Sequence, residues 1–134
     1  MASRNTAVKM RPLSANTGME ILGMDLRQPM DDAACSEVRA ALVETGVIVF
    51  RDQMLEPAHH LAFAQRFGPV PDAEFLETVP GFPQIGLIAK AEHETRNVGG
   101  NWHSDTASIR RRRWVRCFMP MNCRPPVAIP CSPT

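Results

Sequence analysis

The stretch Asn101-Trp102-His103-Ser104-Asp105 holds the residue types and spacing best suited to chemistry in this 134-residue chain. In a β-strand, residues i and i+2 point to the same face. On that geometry His103 and Asp105 offer an imidazole and a carboxylate to one metal ion. A second histidine from a distant strand would complete a two-histidine, one-carboxylate facial triad. Such a triad leaves coordination positions open and suits non-haem Fe(II) and oxygen chemistry. His-x-Asp alone is a weak signal, because most such tripeptides are surface or turn residues. Asn101 and Trp102 could shape a pocket beside the metal, and could equally be structural.

The other reactive residue types are less promising. His59 and His60 are adjacent on an expected helix, and neighbours on a helix do not face one site. His93 reads as a solvated loop residue. Cys117, Cys123 and Cys131 lack a CxxC spacing, and no histidine follows His103, which argues against a zinc site. With Cys35 the cysteines are four. The N-terminus MASRNTAVKM lacks an apolar signal core, so a cytoplasmic location and free thiols are expected. No run approaches the roughly 18 apolar residues of a membrane span.

The elements that must position these residues alternate along the chain. Glu20 to Leu26 reads as a strand followed by a turn at Arg27-Gln28-Pro29. Asp31 or Asp32 caps a helix, because a carboxylate accepts from orphan backbone N–H groups. Ala34, Val38, Ala41 and Leu42 recur at helical spacing, and Gly46 fits the stop. Val47 to Phe50 reads as a buried strand. Pro57 suits the first turn of a second helix, with Leu61, Ala64 and Phe67 as its apolar face and Gly68 at its end. Gln84 to Ala89 reads as a further strand, and residues 92–100 as a loop. Met19, Met24 and Met30 are expected to fill core or frayed ends. The fold class is α+β, with too few strands for a closed sheet.

Three runs in order, TGMEILGMDL, GVIVFRDQMLEPAHHLAFAQRFGPV and GGNWHSDTA, resemble the N-terminal part of the TauD/TfdA family. These are the Fe(II)- and 2-oxoglutarate-dependent dioxygenases related to taurine dioxygenase. The most specific pieces are Val49-Phe50-Arg51-Asp52-Gln53, Phe67-Gly68 and Trp102-His103-Ser104-Asp105. The resemblance covers about residues 11–107. It implies a double-stranded β-helix (jelly roll) with flanking helices, here incomplete. It implies that His103 and Asp105 ligate iron, with 2-oxoglutarate as co-substrate and O2 and a small, often anionic, organic molecule as the other reactants. The family's Gly-Gly-Asp-Thr segment, second iron-binding His and keto-acid-binding Arg are not found, so the 2-oxoglutarate-binding residues are not assigned here.

The charge distribution marks where the resemblance stops. Residues 1–109 carry nine Lys and Arg against all fourteen acids, whereas residues 110–134 carry six Arg and no acid. The same last stretch holds three of the four Cys and five of the twelve Pro. The organisation expected is therefore a flexible N-terminus over 1–10, the dioxygenase-like part over 11–107, and an Arg-, Pro- and Cys-rich, poorly structured tail over 108–134. A shifted reading frame explains the tail. If each lost codon is the last base of one codon plus the first two of the next, Trp114-Val115 forces Gly and Met119-Pro120 forces Ala. Met121-Asn122 then forces Glu and Asn122-Cys123 forces Leu, while Pro126 through Pro130 permits Gly-Gly-Asp-Thr. The recovered text, Met-Gly-Ser-Val-Leu-Tyr-Ala and onward, looks like the family's own continuation. A one-base deletion near Ala107 to Arg110 is expected, as a gene lesion or a sequencing error.

The sequence thus reads as a truncated dioxygenase, inactive by itself. The competing class is a non-catalytic protein whose basic Arg110–Arg116 tail holds an acidic partner or nucleic acid, since clustered Arg neutralises phosphates. Nucleic acid and membrane are not expected partners of the dioxygenase reading, and nothing in the sequence sets the oligomeric state.

Overall fold

The computed structural model describes residues 7–74, 76–90, 93, 95, 101–102 and 115–120. Its elements run β1 (Lys9–Pro12), β2 (Met19–Leu22), α1 (Asp32–Thr45), β3 (Ile48–Phe50), α2 (Pro57–Gln65), β4 (Thr78–Val79) and β5 (Phe82–Gly86). One sheet has the order β1-β2-β3, and β4 and β5 form a separate hairpin. β1 runs antiparallel to β2, and β3 runs parallel to it. A parallel neighbour needs a crossover of a dozen or so residues, and α1 supplies it.

Local chemistry sets each boundary. Between β1 and β2 the Leu13 N–H donates to the Gly18 carbonyl at 2.9 Å. Gly18 has φ 84°, and a Cβ there would meet Leu13 at 3.2 Å, so the turn requires glycine. Asp31 is the N-cap of α1, its carboxylate accepting from the Ala34 N–H at 2.7 Å. Gly46 closes α1 in the left-handed region, donating its N–H to the Leu42 carbonyl. α2 opens on Pro57 behind Glu56, whose N–H donates to His59 Nδ1 at 3.3 Å.

The core lies where α1 and α2 meet the three-stranded sheet. Ile21, Val38, Phe63 and Phe67 form its buried centre, with Val38 fully buried. Phe63 stands edge-on to both Phe50 and Phe67, each at 5.2 Å between ring centroids. Aromatic rings favour this arrangement because positive edges meet negative faces. Met19, Met24 and Met30 pack around the cluster, as expected of filler residues.

The opposite side of β2 carries a buried charge. Glu20 is 3% exposed. Arg11 donates to its Oε2 from Nε at 3.1 Å and from Nη2 at 2.7 Å, and Arg51 Nε lies 3.2 Å from Oε1. The two guanidinium groups compensate the carboxylate that burial would otherwise penalise.

Several expectations need correction. The strand expected over Glu20 to Leu26 is Met19–Leu22, because Gly23 turns left-handed at φ 69° and ends it. The turn after it is carried by the Gln28 N–H donating to the Asp25 carbonyl. Lys9 and Met10 belong to β1, so the flexible N-terminus over 1–10 extends too far. β3 is half-buried rather than buried. The face of α2 turns on Phe63, with Leu61 only partly covered. The last strand begins at Phe82 rather than Gln84 and pairs with β4 across Pro80-Gly81. No helix among the described residues is long and apolar enough to cross a membrane.

Candidate metal centre

The two metal-ligand candidates, His103 and Asp105, lie outside the described residues. Their neighbours Asn101 and Trp102 are described and exposed, Trp102 fully so. No group of three His, Cys, Asp or Glu side chains able to hold a metal ion occurs among the described residues. His103 and Asp105 still fit a hard or borderline divalent ion by donor chemistry, one neutral nitrogen and one anionic oxygen.

What the structure does place is the support beneath the motif Arg51-Asp52-Gln53. The Gln53 side chain accepts from the Leu26 N–H at 3.0 Å and donates to the carbonyls of Met24 and Arg51, each at 2.9 Å. One amide thereby ties the turn after β3 to the turn after β2. Asp52 adopts φ 56°, a left-handed conformation that aspartate tolerates better than most side chains. Gly23, Met24, Asp25, Arg27, Asp52 and Gln53 line an open cleft there. Arg27 donates to both Asp25 oxygens, and these bonds hold the Asp25 carboxyl down at about 2. Two of the cleft's charges, Asp25 and Arg27, are thus committed to each other.

The histidines separate by environment. His93 is exposed, as a loop residue should be. His59 closes the cap of α2. His60 departs from the surface reading: it is half-buried, and its Nε2 lies 3.1 Å from Cys117 Sγ. Burial lowers the His60 pKa and pushes the Cys117 thiol up to about 11. Both groups are neutral at pH 7, so this is a packed hydrogen bond and not a thiolate–imidazolium nucleophile. Cys35 and Cys117 are free thiols. Sequence spacing gave no hint of the His60–Cys117 contact, since 57 residues separate the partners.

The comparisons with known proteins bear on the whole of this region. The family described as taurine catabolism dioxygenase TauD, TfdA family, matches residues 9–117. The chain belongs to the TauD/TfdA family. An (S)-phenoxypropionate/alpha-ketoglutarate dioxygenase of Sphingobium herbicidovorans is 32% identical over 104 residues, covering 75% of this chain and 36% of that protein. An alpha-ketoglutarate-dependent 2,4-dichlorophenoxyacetate dioxygenase of Cupriavidus pinatubonensis is 27% identical over 118 residues, covering 75% of this chain and 41% of that protein. Among solved structures, a taurine dioxygenase from Burkholderia xenovorans is 35% identical with a TM-score of 0.54, over 58% of this chain and 28% of that one. The chain therefore spans well under half the length of these relatives.

Proposed function

We propose that this chain is the N-terminal part of an Fe(II)- and 2-oxoglutarate-dependent dioxygenase, in which His103 and Asp105 contribute two of the three protein ligands to iron. The observation that carries this reading is the family match, which runs through the Trp102-His103-Ser104-Asp105 motif. In the complete enzyme the jelly roll would be closed by strands beyond this chain. When bound, iron with the keto acid supplies the oxidising power for attack on an unactivated C–H bond, releasing succinate and CO2. The chain's own residues hold geometry. His103 offers a neutral nitrogen, Asp105 an anionic oxygen, and Asn101 and Trp102 stand next to them as candidate pocket walls.

The substrate we infer is a small organic anion. Both curated relatives are named for aryloxyalkanoic acids, which are carboxylates at pH 7. The residues that would pair with the substrate and with the distal carboxylate of 2-oxoglutarate are not assigned to any position in this chain.

Two ligands hold a metal ion weakly, so the chain as written is inactive in this reading, and the segment after Ala107 to Arg110 is read out of frame. Sequencing the gene from codon 100 onward tests the frame. An undisturbed frame with no dioxygenase continuation in the neighbouring one overturns that part. In the frame-restored protein, succinate formation from 2-oxoglutarate with Fe(II) and O2 tests the rest. His103→Ala is expected to abolish it, and retained turnover removes His103 from the ligand set.

A further inference from the structure

The described part of the tail, residues 115–120, carries no helix or strand. Its side chains nonetheless alternate. Val115, Cys117 and Met119 are partly buried, whereas Arg116, Phe118 and Pro120 are exposed, Phe118 to 70%. This is the period-two pattern of an extended chain lying on an apolar surface. Val115 and Cys117 pack against the cluster of Ile21, Val38, Phe63 and Phe67. Cys117 adds the 3.1 Å contact to His60 on α2. Two apolar contacts and one polar contact thus converge from a segment more than fifty residues away in sequence.

We propose that residues 115–120 form a strap that closes the core of this unit over α2, with Val115 and Cys117 as its inward anchors and His60 as its latch. The strap goes beyond the dioxygenase reading and does not depend on it. Docking it on the core stabilises the sheet-and-helix unit in the chain with this tail. The buried position also accounts for the direction of the Cys117 pKa. A rise from 9.0 to about 11 lowers the thiolate fraction by about a hundredfold below pH 9, so a closed strap makes the thiol slow to react.

The test uses the full chain and peptide-resolved alkylation with iodoacetamide, which reads each cysteine separately. Cys117 is expected to react on the order of tenfold or more slowly in buffer than in denaturant. Equal rates overturn the strap. Val115→Asp is expected to abolish this protection and lower the melting temperature, while Phe118→Asp, on the outward face, leaves both unchanged. Equal effects of the two substitutions overturn the assignment of faces. A stop after Ile109 is expected to melt lower or to lose its cooperative transition, and an unchanged melting curve overturns the proposal outright.

Discussion

Two polar side chains, Gln53 and Glu20, join separate parts of this unit. Gln53 makes three hydrogen bonds to backbone groups of two turns. A net contribution near 1 kcal/mol for each bond gives an expected loss of about 2–3 kcal/mol for Gln53→Ala, measurable by urea denaturation. An unchanged midpoint would mean that water replaces the amide at no cost. Glu20, like Asp25, contributes to the pH dependence on the acid side. Its side-chain hydrogen bond to Arg11, helped by charge attraction to Arg11 and Arg51, lowers its pKa from the ordinary 4.5 against the opposing effect of burial. The folded state then binds its proton less readily than the unfolded state, so stability falls as pH falls. Its contribution is complete above about pH 4.5 and is lost as pH drops through the lowered folded value. Glu20→Gln is therefore expected to destabilise the chain at pH 7, with the difference from the parent shrinking as the parent is acidified. A constant difference across that range contradicts the assignment. Neither role could be read from sequence, because a Gln or a Glu declares its partners only once two distant turns or strands meet.

Helix boundaries were far more legible than helix faces. Asp31, Gly46 and Pro57 act through bonds to residues three or four positions away or through fixed φ, so their signals are local. Phe63 was missed as the anchor of α2 because Leu61, Ala64 and Phe67 offered an equally plausible apolar stripe. What selects Phe63 is the tertiary position of Phe50 at one of its edges and Phe67 at the other. Phe63→Ala is expected to cost about 3–5 kcal/mol, the range for a buried aromatic truncated in a core, with Leu61→Ala costing clearly less. Thermal and urea melts of the two variants check the order. β1 was missed for a related reason: its alternation of Val8 and Met10 with Lys9 and Arg11 is too short to stand out before Pro12, and it becomes a strand because β2 lies beside it. The metal motif was the reverse case. Its residue types were legible at once, but the partners that would give them a function are not set by spacing within the chain.

As a molecule, this chain joins an acidic body of family sequence to a basic tail of different composition. If the frame is restored, the basic run disappears, because the six Arg of residues 110–134 are replaced. In either version the three-stranded sheet must choose one alignment among several. Arg11 sits directly opposite Glu20, and Glu20 opposite Val49, while the next residue, Ile21, points into the core. A slip of β2 by one residue would drive the carboxylate among the phenylalanines and leave Ile21 facing two guanidinium groups. The buried charge thus proofreads strand register: a misaligned sheet is penalised at both faces of β2 at once.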